Sequence, residues 1–182
     1  CVFVVSAFES TSDEVLGHLD KGHTRADELR ALAILRDAGL SLRPTWVPFT
    51  PWTTMDDYVD MLDLIEREGL IDAVTPVQYG IRLLVPPGSA LLDLPAMQAS
   101  LGPLDAEALS HRWQHPDPRM DQLQQRVAAE VARAAAEGDD EHATFATVQR
   151  LVAEARGLPP PPARRRDKRG ASPPHLSEAW FC

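Results

Sequence analysis

The residues best suited to chemistry lie near the start of the chain. Phe8-Glu9-Ser10 puts a carboxylate and a hydroxyl at the end of the largely apolar run Val2-Phe3-Val4-Val5-Ser6-Ala7-Phe8. One short helix later comes Lys21-Gly22-His23-Thr24. A carboxylate there can accept hydrogen bonds from an amino group or a ribose hydroxyl. The alternative is that Ser10 and Thr11 only cap a helix while Glu9 is solvated. Gly22 suits a left-handed turn and Thr24 a helix cap. His23 has the chemistry to move a proton or bind a metal, but no second His, Cys or carboxylate sits at ligand spacing, which favours a structural turn.

Other candidates are scattered. Arg82 interrupts the apolar run Ile81-Arg82-Leu83-Leu84-Val85. A buried unpaired charge is costly, so it needs a ligand anion or an internal Asp or Glu. Arg43 begins Arg43-Pro44-Thr45-Trp46, and Pro48-Phe49-Thr50-Pro51-Trp52 follows. Two Trp and three Pro make a rigid wall, suited to a pocket mouth or to plain packing beneath a loop. His111 and His115 stand four apart, but Pro116 and Pro118 argue against one helical face carrying both. The run Arg164-Arg165-Arg166-Asp167-Lys168-Arg169 reads as a solvated linker or, secondarily, as a phosphate contact. Cys182, after Trp180-Phe181, is either a redox-active thiol on an arm or an inert terminal residue.

The elements that position these residues follow a βα pattern. Residues 2–8 read as a buried strand. Thr11 and Glu14 have capping-box spacing for a short helix to about Asp20. Thr24 with Asp27 starts the next, which stops at Gly39. Leu40 to Phe49 reads as a second strand. Thr53 with Asp56 and Asp57 starts a third helix, which stops at Gly69. Ile71 to Val85 reads as one or two further strands. Beyond Leu94 the expectation is an appendage without strands, with helices over 120–136 and 143–155. Pro159 to Pro162 read as a stiff spacer and 163–177 as disordered. The organisation expected is therefore 1–94, 95–157 and a tail, 158–182.

The 182 residues suit one domain with a tail, and 44% apolar content suffices for a core. A net charge of −9 argues against a general nucleic-acid binder. No apolar run approaches the ~18 residues of a membrane helix. Two cysteines, at 1 and 182, make neither a disulfide framework nor a zinc knuckle. Cytoplasm is the expected location.

Taken together, Phe8-Glu9-Ser10, Lys21-Gly22-His23-Thr24, Ala38-Gly39-Leu40 and Thr53 with Asp56-Asp57 resemble the second half of a radical SAM barrel of the cobalamin-binding type. Val85-Pro86-Pro87-Gly88-Ser89 resembles that family's Pro-Gly-Thr loop, and the similarity covers about residues 1–92. Arg43 to Thr54 and the Trp-Phe-Cys ending are similar to the CUAEP/CCAEP-tail radical SAM (seleno)proteins. In that group Cys or selenocysteine, then Ala-Glu-Pro, follows the last Cys. A selenocysteine codon taken as a stop would account for the ending at Cys182.

The resemblance implies an α/β fold: the C-terminal half of a partial (β/α)6 barrel, a helical appendage and a redox-active tail. It implies S-adenosylmethionine (SAM) and a [4Fe–4S] cluster as cofactors of the full-length enzyme, with cobalamin as a further one. The reaction implied is reductive SAM cleavage to a 5′-deoxyadenosyl radical. It would use an external electron donor and a small-molecule or peptide substrate. Glu9 and Ser10 become SAM contacts, and Arg43 and Arg82 pocket candidates. The family's cluster loop, CxxxCxxC, is absent, so the chain alone is expected to be inert. The other expectation is a non-catalytic α/β module that docks a partner through its basic arm and Trp-Phe-Cys tip.

Overall fold

The computed structural model describes residues 3–159. The first strand, β1 (Phe3–Glu9), is followed by helices α1 (Asp13–His18) and α2 (Arg25–Asp37). Strand β2 (Ser41–Trp46) then pairs in parallel with β1, Phe3 opposite Ser41 and Ala7 opposite Thr45. Helix α3 (Met55–Arg67) follows. A parallel bridge joins Phe49 to Arg82, in which the Phe49 N–H donates to the Ile81 carbonyl and the Leu83 N–H to the Phe49 carbonyl. Three parallel segments therefore lie side by side in chain order. The protein is mixed α/β, and among the described residues neither of the two sheets closes into a barrel.

Local chemistry explains the helix starts. Thr24 and Asp27 form a full capping box at α2, as expected. At α3 the box is Thr54 with Asp57, one residue later than expected, because the Thr53 hydroxyl is buried against that of Thr50 at 2.8 Å. At α1 the N-cap is Ser12, without a side-chain cap. The Thr11 hydroxyl is buried and has no partner among the described residues, so the expected Thr11–Glu14 box does not form.

Two expectations are corrected. Ile71 to Val85 is not a pair of strands. It holds 3₁₀ turns at Ile71–Ala73 and Pro76–Gly80, and pairing is limited to the Arg82 bridge. Pro76 lacks the N–H that a ladder needs. The stretch after Leu94 is not without strands. After a short helix α4 (Pro95–Gln98), β3 (Leu101–Asp105) and β4 (Ser110–Trp113) form an antiparallel hairpin. Its turn is set by Asp105, whose Oδ1 accepts the N–H groups of Glu107 and Ala108.

Helices α5 (Pro118–Glu137) and α6 (Glu141–Ala155) follow as the sequence predicts. They lie on the main core. Met120, Leu123, Val127, Phe145 and Val148 share one buried cluster with Phe8, Leu42, Trp46, Tyr58 and Tyr79. A smaller cluster of Val85, Met97 and Trp113 sits beneath the hairpin. Among the described residues no helix is long and apolar enough to cross a membrane.

Candidate functional site

Parallel α/β proteins place ligands at the carboxyl ends of their strands. Here that end is built around Glu9. Its backbone is left-handed, φ 68°, at a register shift between Ala7 and Glu9. A non-glycine residue in that region carries roughly 1–2 kcal/mol of strain. Tertiary contacts hold it there. The Val47 N–H donates to the Glu9 carbonyl at 3.0 Å, and Lys21 Nζ donates to Glu9 Oε1 at 3.1 Å. Ser10 is buried beside it and accepts the Ser12 N–H on Oγ at 3.1 Å. The pair that sequence reasoning singled out thus sits at the strand end, with Lys21 neutralising the carboxylate.

The parallel pair has two unlike faces. Leu42, Pro44 and Trp46 alternate inward on β2, and Phe8 does so on β1; Phe8 and Trp46 meet edge-to-face at 5.5 Å. The opposite face carries Phe3, Val5 and Ala7 from β1, with Arg43 and Thr45 from β2. Val5 is 57% exposed, and Arg43 stands over the Phe3 ring at 5.6 Å. Parallel strands are normally covered on both faces, yet this apolar, Arg-bearing face is half open. Of the expected aromatic wall, Trp46 belongs to the core. Trp52 stacks on His18 at 4.5 Å and donates from Nε1 to the Ala96 carbonyl.

The Lys21-Gly22-His23-Thr24 turn does more than reverse the chain. Gly22 takes φ +68°, Lys21 holds Glu9, and Thr24 caps α2. His23 Nε2 lies 3.2 Å from Glu28 Oε1. His23 precedes the cap and Glu28 is the fourth helical residue, the two positions that a hydrophobic staple fills with apolar side chains. Here they hold an imidazole and a carboxyl. Sequence reasoning missed Glu28; its signal was this spacing across the cap. Glu28 is 3% exposed, and its Oε2 has no partner among the described residues. Burial first, then the nearby Asp13 carboxylate, pushes its carboxyl up to about 8, with Arg25 opposing. Glu28 therefore holds a proton at neutral pH behind a His23 side chain that remains 26% exposed.

Arg82 is held internally. Its guanidinium donates to Asp121 Oδ1 and to the Trp113 carbonyl, both at 2.6 Å, and lies 3.5 Å from the Trp113 ring centroid. The two expected histidines do not converge. His115 Nδ1 lies 2.9 Å from the Asp117 N and 3.0 Å from its carbonyl, and Nε2 lies 3.0 Å from the Thr53 carbonyl. His111 Nδ1 lies 3.3 Å from the Gly102 carbonyl. Cys182, Cys1 and the Arg164–Arg169 run lie outside the described residues. No group of three His, Cys, Asp or Glu arranged for a metal occurs among the described residues.

No protein-family model, curated protein or solved structure matches this chain. What the site can do therefore rests on its geometry: a strand-end carboxylate beside an ammonium, a proton-holding Glu–His pair, and a half-open face bearing Arg43.

Proposed function

We propose that this chain supplies the later strands of a radical SAM-type barrel, with Glu9-Ser10 as its SAM-contacting edge. The observation that carries this reading is the half-open face of the parallel pair. In a barrel that face would turn toward the lumen, with Phe3, Val5 and Arg43 along it and Glu9 at its carboxyl end. The motif resemblance and the chain-order arrangement of the three parallel segments support it.

The residues present fit SAM better than they fit a cluster. The Glu9 carboxylate offers lone pairs beyond the one used by Lys21, which suit an amine or a ribose hydroxyl. Arg43 on the same face suits a carboxylate. SAM, when bound, supplies the cleavable sulfonium, and this chain's part is to bind and orient it. A [4Fe–4S] cluster does not fit this chain, because two cysteines 181 positions apart cannot replace CxxxCxxC. In this reading the cluster and the electron donor are supplied from outside this chain.

The test expresses the reading frame together with the sequence that precedes Cys1, reconstituted anaerobically with iron and sulfide. Addition of SAM and dithionite should yield 5′-deoxyadenosine, and Glu9→Ala should weaken SAM binding about tenfold or more, the equivalent of losing one charge-assisted hydrogen bond. Absence of both cluster absorbance and 5′-deoxyadenosine would end this reading. The second reading, a non-catalytic docking module, is favoured by Lys21, His23 and Arg82 all being engaged by internal partners.

A further inference from the structure

Helices α3 and α6 run antiparallel, tied at two points. Gln149 Nε2 donates to Glu66 Oε2 at 2.9 Å, and Arg156 Nη2 donates to Asp56 Oδ1 at 3.1 Å. Between these ties lies a groove of about 190 Å³. Its floor is apolar, with Val59, Leu62 and Val152, and Leu158 stands at its margin half exposed. Its rim carries Asp63, an exposed carboxylate, and Arg156, whose guanidinium is already engaged by Asp56. The space is smaller than the roughly 300–1,000 Å³ of drug-sized sites and suits one or two side chains.

The chain leaves the described region at this groove, since Leu158 and Pro159 both line it. The stretch that follows has complementary chemistry. Residues 160–182 contain five Lys and Arg against two acids, whereas residues 1–159 contain thirteen against twenty-five. The same stretch carries Trp180-Phe181, an aromatic pair matched to an apolar floor. Reach is no obstacle. Arg164 is five residues beyond Pro159, at most ~18 Å of extended chain, and loop closure over twenty residues grows only as the logarithm of length. A tether of this kind gives an effective concentration on the order of millimolar, so weak intrinsic affinity suffices.

We propose that residues 160–182 dock back on the α3–α6 groove of their own chain. The Arg164–Arg169 run lies along the Asp63 rim, and Trp180-Phe181 fills the apolar floor.

The test uses the full chain carrying Cys1→Ser, with a nitroxide on Cys182 and isotope-labelled methyl groups. Paramagnetic broadening should be selective for the methyls of Val59, Leu62 and Val152. It should largely disappear in about 500 mM NaCl relative to about 50 mM, and in the exposed-site variant Asp63→Lys. The double variant Trp180→Ala, Phe181→Ala should abolish it. Uniform weak broadening, or broadening indifferent to salt and to Asp63→Lys, would overturn the proposal. So would broadening of the same methyls when nitroxide and isotope are on different molecules, since the segment would then dock on a second copy.

Discussion

Replacing Glu28 by Gln isolates the proton held beneath the Lys-Gly-His-Thr turn. In the folded protein the carboxyl is pushed up to about 8, against 4.5 for an ordinary Glu. Its folded-state pKa is raised, so between these values the folded chain keeps a proton that the unfolded chain has released. The stability contributed is full below pH ~4.5 and is lost as pH rises through about 8. The slope is about −1.4 kcal/mol per pH unit while both conditions hold. From pH 5 to pH 8 the wild type should therefore lose up to ~4 kcal/mol relative to Glu28→Gln, which has the same shape and does not titrate. Against a typical total of about 5–15 kcal/mol, that is readily measured. Urea unfolding of both proteins at each pH, taken as a difference, cancels every other titrating group. The difference should fall with pH and level off above 8. Asp13→Asn should make the difference level off at a lower pH and shrink the total drop, because Asp13 is the second cause of the shift. A difference that is flat, or that rises with pH, would show an ionised Glu28 paired with His23 and would refute the reasoning.

Arg82→Met should cost about 2–3 kcal/mol in urea melts, because it takes the cation from Asp121, which keeps the His115 N–H, and the side-chain donor from the Trp113 carbonyl. Arg82→Lys should recover only part of this, since one ammonium lacks the planar fork that reaches both acceptors. Phe145→Ala should cost about 3–5 kcal/mol and leave a single cooperative transition, because α6 shares the main core; two separated transitions would show that the C-terminal helices fold apart. Thr11→Val should be neutral or stabilise by up to ~1 kcal/mol, since that hydroxyl is buried without a partner among the described residues. Thr54→Ala should instead lose about 1 kcal/mol of the α3 cap.

The contrast between Thr11 and Thr54 shows where residue order is informative. A capping box is a contact between residues three apart, so Thr24–Asp27 is legible directly and Thr54–Asp57 to within one residue. The stripe Tyr58, Leu62 and Ile65, all buried on α3, follows from the helical period alone. So do the faces of α5 and α6. The apolar run of β1 marks the strand, but the expectation that it is buried holds for Phe8 and fails for Val5 and Ala7, which are exposed. The 3₁₀ turns of 71–80 and the 101–113 hairpin were not legible, because a short apolar run fits several local geometries and only long-range packing selects among them.

Local order also placed Glu9-Ser10 at a strand end and Thr24 at a helix start, and it marked Arg82 as a cation needing a partner. Tertiary structure decided which partner: Asp121 and Trp113, more than thirty residues away. It likewise decided that Lys21 meets Glu9, that Glu28 is buried enough to keep its proton, and that one face of the parallel pair is half open. These are properties of distance and dielectric between segments remote along the chain, and neither exists until the fold closes around them.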